Sequence, residues 1–570
     1  MFAENVDRSP KYGAAPIKMP FAVLGGSGRE TQRGSDKFAK SQNTPFPFTD
    51  GARVTPEQII EHVGWSNRRN SYQGFLLTVT CVTIASEAAE VALLSLILPH
   101  VKNDFQLTSN QTDRVAMSIF FGQMLGCFVM GALADKAGRK PCGVIANVLV
   151  SLGGYLSAIA PSANILMACR FAVGLGVGAA FVPVDMLAEA CPDNKRSSKT
   201  QIANLSFSVG VVLITVIGMW MLDPFGWRVL AFVTAIPPTI ALLMSMYLDE
   251  SPTWLAEKGK SERARKVLNK IAVENTGHAL PTGVKIVASS EVDTDTVTVD
   301  TGLGGLIGGT GDTESMEDGK GAILKSSNPT PLIKTAPQVS SPSVAWNLLG
   351  TRINFARTLC LWTLAFVQTF NFYGLMLHSP TVFRKTVYYE QALDTDASQP
   401  LVKVENLSSI QFDYPAILVV NSGDVVGNLV ALAALRSKVN PRWVAGLCAL
   451  ISIPLLFTPL SETLKTTRWG LVGMMLLGRI PAAPIGAMSW ILNAVAYPTL
   501  FRATGHGYAN AVARSGAVAA SSMYSAPVAV SIPIHAVALL AAVPAALFAP
   551  KGSLETQPGV SLRRLFGRRK

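Results

Sequence analysis

Gly131-Ala132-Leu133-Ala134-Asp135-Lys136-Ala137-Gly138-Arg139-Lys140 divides a long apolar run into two pieces, residues 115–134 and 141–160. Each piece is about the ~20 residues that a helix needs to cross a hydrocarbon core. Four charges stand between them within residues 135–140. Charge that dense does not settle in lipid, so the stretch reads as a turn at a membrane surface. Its glycines permit close packing and a tight turn. Asp135 can pair with a basic group or a helix end and so hold one face of the protein shut. An ordinary charged turn is the plainer reading of the same residues.

Working outward, the hydropathy marks twelve spans. The first six are 73–98, 115–134, 141–160, 164–188, 201–222 and 228–248. The last six are 356–378, 414–435, 442–460, 469–493, 505–526 and 528–548. Membrane strands need only about 10 residues and alternate in polarity, whereas a helix bonds its own backbone in lipid. The sequence therefore predicts an all-α membrane protein of twelve transmembrane helices in two pseudo-symmetric six-helix bundles, 73–248 and 356–548. The flanks are a disordered N-terminal tail (1–72), a central loop (249–355) and a basic C-terminal tail (549–570). Within the central loop, Lys258 to Lys270 read as a basic helix at the membrane surface.

Composition agrees. Of 570 residues, 49% are hydrophobic and only 15% charged, against about 25% charged in soluble domains. This excludes an ordinary cytosolic enzyme, a disordered chain and a disulfide scaffold. The net charge of +12 sits largely in tails and short loops, where it sets membrane orientation rather than binding nucleic acid. It predicts both termini and the central loop in the cytoplasm, in a plasma or intracellular vesicle membrane. The seven cysteines form no CxxC, and the start lacks the apolar core of a signal peptide. The six histidines, His535 among them, form no recognisable metal or triad pattern. No metal, no cofactor and no enzymatic activity are expected; a monomer is.

The two halves echo each other. Glu87 and Glu90 precede Pro99 at the offsets by which Gln368 and Asn371 precede Pro380. Gly122-Gln123-Met124-Leu125-Gly126 is matched by Gly423-Asp424-Val425-Val426-Gly427. Arg170 and its small neighbours, followed by Pro192 and Arg196, are matched by Arg479, Pro498 and Arg502. Two related six-helix halves place a solute site between them, near the bilayer midplane.

These residues resemble the major facilitator superfamily. Gly131, Asp135, Gly138, Arg139 and Lys140 match its signature between helices 2 and 3. Arg170, Gly174, Gly176 and Gly178 resemble its helix 4 motif, and Glu189 and Arg196 resemble the charged pattern that ends that helix. The segment from Asp249 to Leu255 is similar to one found after helix 6 in sugar porters and organic-ion transporters. Glu87-Ala88-Ala89-Glu90 and Phe372-Tyr373-Gly374-Leu375 look like the branch of synaptic-vesicle-protein-related and niacin transporters. The resemblance implies that fold, a cytoplasmic gate at 131–140 and transport of a small organic solute. In the second half the gate signature is degraded, with Arg436 where an aspartate would fall.

Charges inside spans are costly unless paired or hydrated. Glu87 and Glu90 lie three apart on one helix face and repel, so one can take up a proton; a permanent ion pair is the alternative. Arg170 is their expected partner, by resemblance to proton-coupled sugar porters. Asp185 and Asp424 are further candidates for the pathway. Arg479 and Arg514 can recognise a solute carboxylate, or Arg479 can satisfy helix ends. Gln368 and Asn371 suit hydrogen bonding of solute without titration, or packing. The expected function is secondary active transport of a small organic solute by alternating access, proton-coupled, with an organic anion such as a nicotinate-like acid in view. The alternatives are a facilitative or sodium-coupled transporter of sugar or organic cation, and a non-transporting sensor or scaffold on the same fold.

Overall fold

The computed structural model describes residues 46, 48, 51–66, 71–281, 283–288, 352–383, 412–437, 439–456, 468–496 and 502–549. The glycine run at 25–28, the acidic patch at 312–318, the sequon at Asn406, Tyr497-Pro498-Thr499 and the basic residues at 563–570 lie outside these, as does the side chain of Arg502.

The first half is built of α2 (Tyr72–Asp104), α3 (Ser109–Ala137), α4 (Arg139–Ala158), α5 (Ala163–Val177), α6 (Phe181–Glu189), α7 (Asp193–Thr234) and α8 (Ile236–Met246). A short piece precedes it, β1 (Arg53–Val54) and α1 (Pro56–Val63), and α9 (Pro252–Glu257), α10 (Ser261–Thr276) and β2 (Lys285–Ile286) follow it. The second half is α11 (Arg352–Val382), α12 (Tyr414–Arg436), α13 (Pro441–Leu456), α14 (Arg468–Ala496), α15 (Arg502–Ser521) and α16 (Val528–Phe548).

Among the described residues, nine helical stretches are long and apolar enough to cross a membrane. One of them, Asp193–Met246, holds two expected spans, because Pro224 and Gly226 (φ 79°) bend α7 at its far tip. The fourth expected span is broken into α5 and α6 by a turn at 178–180. The shorter α13 and the small-residue-rich α15 stand where the ninth and eleventh spans were expected. Large apolar side chains line the outside, with Leu152 57%, Leu447 58% and Val537 66% exposed. That is the surface of a protein whose solvent is lipid.

Packing repeats as the sequence does. In the first half α2 lies on α7 and α8, α3 on α5, and α4 on α5 and α8. In the second half α11 lies on α15 and α16, α12 on α14, and α13 on α14 and α16. Between the halves, α7 meets α12 and α15 meets α3; the repeat turns one contact into the other. Backbones approach closely at repeated places. A side chain at Gly210 would strike the Ala85 carbonyl, and one at Gly516 the Phe366 carbonyl. Ala85 stands two residues before Glu87, and Phe366 two before Gln368.

Two expectations need correction. Residues 51–66 fold, although their sequence reads as disordered tail. Thr55 and Gln58 form a reciprocal capping box, and Ile59 and Ile60 are each 1% exposed. β1 pairs in parallel with β2, so the tail is tied to the central loop. The basic helix α10 does not turn its apolar face to lipid: Ala264, Leu268 and Ile271 are buried, and α10 packs on α1, α9 and the start of α2. Enough apolar area is shared among these short pieces to offset their ordering entropy.

Opposite the Asp135 turn the halves are sealed. One apolar cluster there joins Leu98, Val101, Val115 and Trp227 to Leu377, Phe383, Phe412 and Ile417. Tyr414 donates to Asp223 at 3.3 Å and the Ser525 amide to Asp113 at 3.0 Å, each across the seam.

Candidate transport pathway

The two glutamates of α2 do not share a partner. The Arg170 guanidinium, from α5, donates through Nη1 to Glu90 Oε2 at 2.8 Å, with both side chains fully buried. Arg514, from α15, donates through Nη2 to Glu87 Oε1 at 2.8 Å. The expected repulsion between two neighbouring carboxylates is thus replaced by two ion pairs. Three residues turn a helix by about 300°, leaving the side chains about 60° apart, enough for each to face a different helix. Glu87 faces the other half of the chain; Glu90 stays within its own.

Arg514 gathers four helices. Its Nη1 also donates to Tyr373 Oη at 2.7 Å and to Gln123 Oε1 at 3.2 Å. Tyr373 is on α11 and Gln123 on α3, so α2, α3, α11 and α15 converge on one guanidinium. By contrast, several atoms of the other pair lack hydrogen bonds among the described residues: Glu90 Oε1, Arg170 Nε and Arg170 Nη2. Glu90 Oε1 lies beside Gly154 of α4, where a Cβ would come within 3.1 Å.

The second half carries its own buried pair. Arg479 grips Asp424 with two hydrogen bonds, Nε to Oδ1 at 3.1 Å and Nη2 to Oδ2 at 2.6 Å. The repeat explains the difference between halves. Arg170 and Arg479 hold equivalent places, but position 90 becomes Asn371 in the second half. The acid is supplied instead by Asp424, whose equivalent in the first half is Gln123. Arg479 and Arg514, expected to await a solute carboxylate, both hold carboxylates of the protein.

Gln368 and Asn371 line a small cavity inside the second half. Asn371 is engaged there, donating to the Val367 carbonyl at 2.9 Å and facing His535 Nδ1 with its oxygen at 3.1 Å. Along the seam, Asn421 donates to Thr215 at 2.9 Å, Asn428 donates to Ser208 at 2.9 Å, and Gln201 donates to Asn428 at 3.0 Å. These seam polar groups, with Gln123 and His535, were not singled out from sequence as site residues. For Gln123 the signal was present, in its alignment with Asp424.

The gate motif is held from a distance. Gly138, at φ 113°, ends α3 and starts α4. The Glu250 carboxylate accepts from the Arg139 amide at 2.9 Å and the Lys140 amide at 3.1 Å, so it caps α4 where the helix dipole favours an anion. Arg139 pairs with Asp135 at 2.7 Å and lies 3.6 Å from Glu189. Ser251 hydrogen-bonds Glu189, and Trp254 Nε1 donates to the Asp135 carbonyl at 3.2 Å. The segment from Asp249 to Leu255 therefore braces the turn at 135–140. Arg196 does not pair with Glu189; it pairs with Asp193 at 2.7 Å and donates to the Ala188 carbonyl at 2.9 Å, closing the end of α6. Asp185 lines a cavity with Gly131, Asp135 and Arg139, and Gly507 of α15 forms its far wall.

The profile of the family described as "Sugar (and other) transporter" matches residues 52–302. The chain is 24% identical over 479 residues to organic cation/carnitine transporter 7 of Arabidopsis thaliana, covering 83% of this chain and 88% of that protein. It is 23% identical over 465 residues to the synaptic vesicle 2-related protein of Xenopus laevis, covering 81% of this chain and 74% of that one. The partially occluded inward-open xylose transporter XylE of E. coli shares the fold, with a TM-score of 0.56, 16% identity, and coverage of 84% of this chain and 98% of that one. The chain has the fold of the major facilitator superfamily, and its first half and its relatives resemble that family's transporters. It is a multi-pass membrane protein of the class that transports small solutes.

Proposed function

We propose that this protein moves a small organic solute by alternating access and couples that movement to protons through Glu87 and Glu90. The reading rests on the Arg514–Glu87 pair, a buried charge contact between the two halves at the middle of α2. A proton on Glu87 removes the attraction across the seam. It also leaves the Arg514 guanidinium without its counter-ion in the same place, which favours entry of an anion such as a carboxylate. Proton and organic anion then bind together, and their joint binding shifts the balance between states open to opposite sides. Glu90 is suited to carry a proton for a second reason: its Oε1 makes no hydrogen bond among the described residues.

In this reading the Asp135 turn and both termini face the cytoplasm. The sealed apolar end faces outward, and the Glu250 brace holds the cytoplasmic gate. A nicotinate-like acid is the solute class we favour; no cofactor takes part.

The test is uptake of radiolabelled nicotinate into proteoliposomes under an imposed pH gradient. Glu87→Gln and Glu90→Gln are each expected to abolish pH-driven accumulation while leaving counterflow exchange. Unchanged pH dependence in both variants would sink the coupling. Accumulation driven by a sodium gradient, or mere equilibration, would favour the sodium-coupled or facilitative alternative. Uptake of a sugar or organic cation in place of nicotinate would overturn the anion assignment alone.

A further inference from the structure

Inside the second half, bounded by α11, α13, α14 and α16, lies a cavity separate from the Arg514–Glu87 seam. Its walls are mostly apolar, including Leu375, Leu456, Met475 and Ile532. Three buried polar atoms on it make no hydrogen bond among the described residues, His535 Nε2, Arg479 Nη1 and His378 Nε2. The His535 and Arg479 side chains are almost wholly enclosed, 3% and 2% exposed. The His378 ring is engaged by Tyr524, and Ser531 has a partner of its own, so His535 and Arg479 carry the recognition.

The hydrogen bonds fix what His535 offers. The Asn371 amide nitrogen is spent on the Val367 carbonyl, so its oxygen is the atom facing His535 Nδ1 at 3.1 Å. An amide oxygen only accepts, so Nδ1 carries the proton and Nε2 presents a lone pair. The ring is also clamped. It packs against the Phe370 ring, with centroids 4.4 Å apart and planes tilted by 34°, and it occupies the space a side chain at Gly374 would need. The cavity therefore holds a positioned acceptor at His535 and a positioned donor at Arg479. Leaving either unmet in a buried site is destabilising.

We infer that this cavity is a binding site for a small, mainly apolar molecule that carries a hydroxyl group. A hydroxyl is the smallest group with both a donor and an acceptor. Its hydrogen goes to His535 Nε2 and its lone pairs face Arg479 Nη1, while the hydrocarbon body meets the leucine, methionine and isoleucine walls. A carboxylate suits it less, since it would set an anion against the lone pair of Nε2.

The probe is cyclohexanol, with chlorocyclohexane as a hydroxyl-free compound of similar size, added to the purified full-length protein. Cyclohexanol is expected to raise Tm saturably, because it binds the folded state; chlorocyclohexane is not. His535→Phe keeps a ring in place but removes the acceptor, and is expected to weaken cyclohexanol at least about tenfold. Equal shifts from both compounds mean simple partitioning into apolar space and overturn the proposal. No shift from either means that water satisfies the two atoms, and overturns it as well. Should His535→Phe fail to fold, the Nε2 resonance of wild type labelled with 15N-histidine decides: saturating cyclohexanol must move it, and a fixed resonance refutes the site. Failure here leaves the coupling role of Glu87 untouched, because Arg514 and Glu87 do not line this cavity.

Discussion

Arg514 and Glu87 lie 2.8 Å apart, on α15 and α2, and their contact is a buried ion pair between the two halves of one chain. Their separation in sequence is 427 residues. Neither could be assigned a partner from its own half, since Glu87 has Glu90 three residues on and Arg514 stands among small residues, Ala511-Val512-Ala513 before it and Ser515-Gly516 after it. The pair forms because α15 packs on α3 and α11, which carries its guanidinium to the face of α2.

Breaking such a pair from one side strands the other charge away from water. Arg514→Met is expected to cost about 3–5 kcal/mol, because Glu87 then lacks its counter-ion. The double variant with Glu87→Gln is expected to recover part of that loss, giving a coupling energy of about 1–3 kcal/mol. Thermal or denaturant unfolding of the four purified proteins gives the cycle. Strict additivity would mean that the two side chains do not act together.

The buried arginines of the two halves differ in how fully they are used. Arg479 makes two hydrogen bonds to Asp424; Arg170 makes one to Glu90 and leaves Nε and Nη2 unmet. Lysine supplies a point charge without the planar fork. Arg479→Lys is therefore expected to cost about 1–3 kcal/mol. Arg170→Lys is expected to cost less than about 1 kcal/mol, since only one bond must be replaced. The order of the two melting temperatures checks this, and a reversed order would contradict it.

At the gate, one carboxylate serves two neighbours. Glu250 caps the α4 amides and fills the space where a side chain on Gly138 would stand. Glu250→Ala is expected to lose about 0.5–2 kcal/mol, the usual worth of an N-terminal cap. Gly138→Ala is expected to lose more, because its φ of 113° strains any L side chain and the carboxylate is displaced as well. The double variant is expected to fall short of the sum. Additive losses in unfolding measurements would show that the cap and the glycine are independent.

The fold was legible because lipid demands long apolar helices, and the repeat told which helices correspond. The position of Arg170 opposite Glu90 could be read the same way, through a motif within one half. Arg514 could not be matched to Glu87, since contacts between halves leave no periodic trace in the sequence. Glu250 was visible as part of a motif, but its role as a cap depends on where the chain returns after α8. His535 looked inert because its partner, Asn371, lies 164 residues away on another helix. The fold of residues 51–66 was missed for another reason. Eight residues of helix are too short to be stable alone, and their stability comes from α10, more than two hundred residues later.

That last dependence yields a sharp expectation. α1 buries Ile59 and Ile60, and the strand before it pairs with β2. Asn275, at the end of α10, donates to the Gly64 carbonyl at 3.0 Å, and Glu274 accepts from the Tyr72 amide at 2.5 Å. On the other side Glu61 accepts from the Asp193 amide at 2.8 Å, so α1 also caps the start of α7. Truncating a buried isoleucine costs about 2–5 kcal/mol, more than so small a unit holds in reserve. Ile60→Ala is expected to release residues 51–66, raising amide hydrogen exchange through α1. Exchange at Asp193 should rise with it, since that amide loses Glu61, while the buried middle of α2 stays protected. Faster exchange in α1 without any change at Asp193 would show that Glu61 is not what caps α7.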